Sequence, residues 1–247
     1  MTPDQLSSDL VQISNSATSR VEIWVDFINS KKIAAFAEIG VWRGEFAETI
    51  LRRCQSIERY YMLDPWRHLE EWNKPANVSN VEFDYIYDEA MERTAFAADK
   101  RIVLRDKTRK AVKSIPDNTL DAVYIDGDHT LRGITIDLVS VYEKVTPRGF
   151  VIGDDFARSM WQHSADYEPT LVFPMAIYFA EAKGDKVFGL PHNQFLIQKS
   201  DCEDGFTFED LTGEYKPTML RRQFLLGPNR RSNKFLGRLA EKLLKLR

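Results

Sequence analysis

Residues 33–44, Ile33-Ala34-Ala35-Phe36-Ala37-Glu38-Ile39-Gly40-Val41-Trp42-Arg43-Gly44, are the stretch on which the fold is decided. The run 33–39 is apolar except for Glu38 and has the length of a buried strand, and it stops at Gly40. After Gly44, the residues Phe46, Ile50 and Leu51 recur at helical spacing, so the segment reads as strand, glycine turn and helix. A second apolar run, 60–63, ends in Asp64, about 20 residues beyond Gly44. A glycine turn lets backbone approach a ligand, and an acid at the end of the next strand accepts hydrogen bonds from ribose hydroxyls. The expectation is a nucleoside-containing ligand.

Upstream, residues 1–18 are polar and Ser-rich and read as a loose lead-in, while the apolar positions of 21–28 fit a covering helix with Ser19 as its N-cap. Downstream, 67–100 read as a loop and one helix starting near Asn80. Short strands follow at 102–104, 120–125 and 150–152, separated by helical stretches and by turns at Pro116-Asp117-Asn118 and Pro147-Arg148-Gly149. Such alternation implies a parallel sheet with helices on both faces. A helix at 173–182 and a hairpin of 186–189 with 194–198 close the core, placing an antiparallel strand at one edge. The division expected is a lead-in and covering helix at 1–32, a ligand-binding domain at 33–200 and an extension at 201–247.

Composition bounds the function. The 247 residues, 43% hydrophobic and 29% charged, can bury a full core. Cys54 and Cys202 build no disulfide framework. The start lacks a signal-like apolar region and no run has the length of a membrane span, so a cytoplasmic protein is expected. The net charge of -3 hides a basic end: Arg221, Arg222, Arg230, Arg231, Lys234, Arg238, Lys242, Lys245 and Arg247 face Glu241 alone. The acidic body argues against nucleic acid, which needs Lys and Arg spread over the docking face. From Lys234 onward Phe235, Leu236, Leu239, Ala240, Leu243 and Leu244 share one helical face, which suits docking on the domain itself, a homo-oligomer or peripheral contact with an anionic membrane.

Five motifs in order, Glu38-Ile39-Gly40-Val41-Trp42-Arg43-Gly44, Leu63-Asp64-Pro65-Trp66, the run 120–129 ending Asp126-Gly127-Asp128-His129, Pro147-Arg148-Gly149 and Asp154-Asp155-Phe156, resemble the class I S-adenosylmethionine-dependent methyltransferases. More narrowly they resemble the macrocin-type O-methyltransferases of antibiotic sugars. The resemblance covers about residues 33–200 and implies a Rossmann-like α/β fold. The resemblance further implies a sheet of seven strands, mostly parallel with an antiparallel last strand, and helices on both faces. It implies that Glu38, Gly40 and Gly44 line the methionine and ribose side of S-adenosylmethionine, that Asp64 binds the ribose, and that Trp66 and 106–108, Thr108 included, lie near adenine. A dinucleotide-dependent oxidoreductase fits less well, because the turn Gly40-x-x-x-Gly44 lacks the G-x-G-x-x-G pattern. A non-catalytic binding protein on the same fold is the other alternative.

The acceptor chemistry falls on Asp126, Asp128, His129, Asp154 and Asp155, at the ends of two neighbouring strands. Carboxylates that converge repel unless a cation or a proton intervenes, and hard oxygen ligands favour Mg²⁺ or Mn²⁺. The resemblance assigns the metal to Asp126, Asp154 and Asp155, with Asp126 also near the cofactor. Adjacent strand residues point to opposite faces, so Asp154 and Asp155 share an ion only if the chain leaves β geometry there. The metal would bind neighbouring hydroxyls of a sugar or other small polyhydroxylated acceptor, lipid-linked saccharides included. Relatives take the hydroxyl proton with the second acid or the following histidine, Asp128 or His129 here. A neutral imidazole suits a general base at neutral pH, which favours His129 with Asp128 orienting it.

Overall fold

The computed structural model describes residues 3–200 and 205–215. Its elements in chain order are α1 (Pro3–Ser16), α2 (Arg20–Lys31), β1 (Ala35–Ile39), α3 (Glu45–Arg53), β2 (Arg59–Leu63), α4 (Asn80–Arg93), β3 (Arg101–Leu104), α5 (Thr108–Ala111), β4 (Leu120–Ile125), α6 (Leu131–Tyr142), β5 (Val145–Gly153), α7 (Val172–Lys183), β6 (Lys186–Leu190), β7 (Gln194–Gln198) and β8 (Thr207–Asp210).

Eight strands form one sheet in the order β3-β2-β1-β4-β5-β7-β6-β8. Every residue of β1 is buried, as its apolar run requires, and it pairs in parallel with β2 on one side and β4 on the other. The chain runs outward from β1 through β2 to β3 and then returns to lay β4 against the opposite edge of β1. That reversal opens a crevice at the C-terminal ends of β1 and β4, where open α/β sheets bind ligands.

Strand alternation sorts the side chains into two apolar layers. Phe36, Tyr60, Met62, Ala122, Tyr124, Phe150 and Ile152 face a layer that includes Leu6, Leu10, Trp24, Phe27, Phe46 and Phe83. Ala37, Tyr61, Leu63, Val123, Ile125 and Val151 face the other, with Ile134, Leu138, Phe173 and Ile177. Glu38 shares the parity of Phe36 and is the charged residue placed inside the first layer's side of β1.

Four expectations change. Residues 3–16 are not a loose lead-in but helix α1, because Leu6, Leu10 and Ile13 at helical spacing bury against the core between polar residues. Pro147-Arg148-Gly149 does not end a helix before a short strand; it lies inside β5, where the pairing with β4 shifts register between Leu120 and Ala122 and Arg148 takes a φ of 66°. The sheet has eight strands rather than seven, since Thr207–Asp210 adds an edge strand parallel to β6. The antiparallel strand is therefore internal: β7 runs against both β5 and β6. No helix among the described residues is long and apolar enough to cross a membrane. The basic segment from 216 onward, with the amphipathic run from Lys234, lies outside the described residues.

Candidate active site

The turn after β1 depends on glycine at both of its ends. Gly40 has a φ of 84°, and a Cβ there would sit 2.1 Å from the Asp126 carbonyl oxygen, so only glycine permits the ends of β1 and β4 to meet. Gly44, with a φ of 77°, opens α3, and its missing Cβ leaves room for Ala90 of α4 at 3.0 Å. Between them Trp42 also adopts positive φ, 52°. Its backbone N–H donates to Asp64 Oδ2 at 3.0 Å, while the Trp66 N–H donates to Asp64 Oδ1 at 2.7 Å. Burial pushes the Asp64 carboxyl up to about 6, with these backbone donors pulling the other way. Glu38 accepts from the Tyr60 hydroxyl at 2.7 Å, and burial holds its carboxyl well above the usual carboxylate range. Asp64 and Glu38 thus end adjacent strands beside the turn. Trp66 is fully buried, its indole N–H donating to the Trp42 carbonyl at 2.9 Å and its ring edge-on to Tyr87, which makes it the floor of the turn rather than an open face. Thr108 begins α5, and its hydroxyl bonds to the buried Asp137 carboxyl of α6.

The second group sits one strand over. Asp126 N donates to Ile39 O at 2.8 Å and Asp154 N to Ile125 O at 3.0 Å, so both residues extend the ladder beyond the strand ends. The chain then leaves β geometry: Asp155 has a φ of 57°, and its carboxylate turns to His129, with Nδ1 and Oδ2 2.5 Å apart. His129 Nε2 lies 3.4 Å from Asp126 Oδ1. Burial alone would lower the imidazole pKa, but the carboxylates of Asp126 and Asp155 raise it to about 9. The two carboxylates therefore favour the protonated ring over the neutral one expected of a base at neutral pH. Asp155 is held below the ordinary carboxylate range, burial being outweighed by His129 and then Gln162 and Arg20. Asp128 does not orient His129: its Oδ1 accepts from the Trp72 indole at 3.0 Å and from Thr130 N at 3.0 Å, at the start of α6.

Sequence reasoning passed over several residues here. Arg20, the first residue of α2, reaches across the strand ends to Asp126 Oδ2 at 3.1 Å and to Asp154. Gln194 of β7 donates to Asp154 Oδ1 at 2.5 Å and accepts from the Trp24 indole at 2.6 Å. The connections 64–79 and 154–171 meet above the edge: Asn73 Nδ2 donates to Asp166 O at 2.8 Å and Lys74 Nζ to Glu168 O at 2.7 Å. Lys74 is buried, and the Trp161 indole N–H is buried without a hydrogen-bond partner among the described residues. These loops wall the acid side of the crevice. No spacing rule marks Arg20 or Gln194, because each acts across the tertiary fold: neither belongs to a metal pattern, and the hairpin signal before Gln194 points to a turn rather than to a site.

Asp126, His129 and Asp155 bring one ligand atom each within 4.8 Å of one another, a spacing that an ion would use. As folded, the set does not fit a resident divalent ion. The His129–Asp155 contact is a hydrogen bond, closer than two ligands sit around one small cation, and the other Asp126 oxygen and Asp154 are satisfied by Arg20. Asp154, expected as a ligand, faces Gln194 and Arg20 instead of Asp155.

Comparison with known proteins agrees with this fold. Residues 37–156 match the family model of a methyltransferase domain. Among solved structures, an O-methyltransferase of Bacillus cereus in complex with S-adenosylhomocysteine is 14% identical, with a TM-score of 0.52 over 81% of this chain and 93% of that one. A Podospora anserina methyltransferase bound to S-adenosylhomocysteine is 13% identical, with a TM-score of 0.54 over 81% and 89%. The O-methyltransferase NovP is 15% identical, with a TM-score of 0.51 over 78% of each chain. No curated protein sequence matches the chain. The structural likenesses show the fold, a Rossmann-like methyltransferase sheet. The family match adds support for a class I S-adenosylmethionine-dependent methyltransferase domain.

Proposed function

We propose that the protein transfers the methyl group of S-adenosylmethionine to a hydroxyl oxygen of a sugar or another small polyhydroxylated acceptor. The observation that carries this reading is the shared edge. Gly40 lies against the Asp126 backbone, so the nucleoside turn and the acid–histidine group line one crevice. S-adenosylmethionine, when bound, supplies an electrophilic methyl on a cationic sulfur. The chain's own task is to hold donor and acceptor in line and to receive the proton that the hydroxyl loses.

Asp64 and Glu38 suit the ribose and methionine ends of the donor, flanking the turn from β2 and β1. His129 is the base of this reading, with Asp155 rather than Asp128 orienting its Nδ1. Nε2 is buried without a well-formed hydrogen bond and is the atom that receives the proton. Because the two carboxylates favour the protonated ring, the working form is the fraction that has lost that proton. No step runs through a divalent ion, since Arg20 already holds the carboxylates of Asp126 and Asp154.

Isothermal titration with S-adenosylmethionine tests the reading first: saturable binding, abolished by Gly40→Ala, is expected. An absence of binding to the folded wild-type chain overturns it. Transfer of labelled methyl to a panel of sugars and glycosides then tests the acceptor class.

A further inference from the structure

We propose that Arg20 is the resident cation of the acid cluster, standing between Asp126 and Asp154 where a divalent ion would otherwise sit. The inference rests on the reading of this edge as the acceptor side of a methyltransferase.

Three observations carry it. First, the Asp126 carboxylate is divided between two partners: Oδ2 faces the Arg20 guanidinium at 3.1 Å, and Oδ1 faces His129 at 3.4 Å. Neither oxygen is left pointing at an open position. Second, the same Arg20 nitrogen that meets Asp126 also meets Asp154, so the guanidinium bridges the ends of β4 and β5 as a metal would. A guanidinium stays charged at any pH the protein meets, and a second cation cannot enter that position until it leaves.

Third, the arginine is built in from its own helix. The Ser19 hydroxyl caps α2 by accepting from Glu22 N at 3.4 Å, which sets Arg20 as the first helical residue. Trp24, one turn further on, donates its indole N–H to Gln194 Oε1 at 2.6 Å, and Gln194 Nε2 donates to Asp154 Oδ1 at 2.5 Å. Helix α2 thus reaches Asp154 twice, directly through Arg20 and indirectly through Trp24 and Gln194. Trp24 and Gln194 are fully buried, which ties the position of α2 to that of the Asp154 carboxylate. The side chain of Arg20 itself remains 43% exposed. Arg20 is a positioning residue in this scheme: it fixes the two carboxylates and supplies the positive charge that the cluster requires.

Manganese binding to the full chain, followed by the loss of the free-ion electron paramagnetic resonance signal, tests the proposal without relying on turnover. Arg20→Met should bind Mn²⁺ at least about tenfold more tightly than wild type, because the competing cation is gone and the carboxylates remain. Arg20→Lys, which keeps the charge, should behave like wild type. Adding Asp154→Asn to Arg20→Met should remove the gain. Equal Mn²⁺ affinity in wild type and Arg20→Met overturns the proposal. Should Arg20→Met not fold, wild-type methyl transfer decides: persistence in EDTA supports a resident arginine, and loss in EDTA with restoration by Mn²⁺ overturns it. Titration of the same wild-type sample with S-adenosylmethionine separates the two readings. Failure to bind the donor counts against the methyltransferase assignment, whereas the Mn²⁺ comparison speaks to Arg20 alone.

Discussion

The His129 imidazole lies between the carboxylates of Asp126 and Asp155, and its pKa of about 9 makes the base of the proposed reaction scarce at neutral pH. If this ring must be neutral to work, kcat/KM rises with pH and levels off above about 9. Asp155→Asn removes one of the two groups that raise the value, so the rising limb should move down towards the ordinary imidazole value of ~6.5. A limb that stays in place under that change rules out His129 as the titrating base. Asp137 carries a different pH signature. Burial pushes its carboxyl up to about 7, against the Thr108 hydroxyl, which lowers it. The folded value exceeds the unfolded ~3.9, so this group favours the fold fully below pH ~4, and the contribution is lost as pH rises through about 7. Asp137→Asn does not titrate. Its stability relative to wild type should therefore improve between pH 5 and pH 8 by about 2.6 kcal/mol, the part of the linkage that lies above pH 5. Urea midpoints at the two pH values measure the difference, and a pH-independent gap would show that Asp137 is ionised in the fold.

Helices α2 and α4 reach the crevice from one side of the sheet, and their N-termini are capped to different degrees. Ser79 and Glu82 form a reciprocal capping box at α4, with Ser79 N donating to Glu82 Oε2 at 3.0 Å and Glu82 N to Ser79 Oγ at 3.3 Å. At α2 the Ser19 hydroxyl has only the longer contact from Glu22 N. Ser79→Ala should lower stability by about 1 kcal/mol and Ser19→Ala by less, since a single long bond is replaced. Both are read from denaturation midpoints, and a larger effect at Ser19 would reverse the ranking. The functional consequence should run the other way. Loosening the first turn of α2 frees Arg20, whereas α4 supports the donor side through Asn80, which accepts from His68 N at 2.8 Å, and through Phe83 packed edge-on to Trp42.

Across the whole molecule, what could be read in the chain was what has a local cause. Gly40 and Gly44 announce a turn, the apolar runs announce buried strands, and the acids Asp64, Asp126 and Asp154 stand at strand ends because ladders stop there. The eighth strand has no such signal: Thr207-Phe208-Glu209-Asp210 is short and acidic, and it pairs because β6 offers an edge. Arg20 and Gln194 act only after distant elements meet, and helix α1 is amphipathic enough to fold only against a core. That last dependence makes a test of how far stability and binding are linked. Leu10 is fully buried, and Leu10→Ala should cost about 2–5 kcal/mol, as large-to-small core changes do. Its layer is shared with Trp24 and Phe27 of α2 and continues to Val41 and Trp66 beside the turn where the donor would sit. A ligand at about 100 times its dissociation constant adds ~2.7 kcal/mol to the stability of whatever binds it. If α1 serves only the core, S-adenosylmethionine should stabilise Leu10→Ala and wild type by the same amount in denaturation experiments, partly offsetting the lesion. A smaller gain in the variant would mean that loss of α1 packing is transmitted through α2 to the crevice, and that the N-terminal helices belong to the binding site as well as to the core.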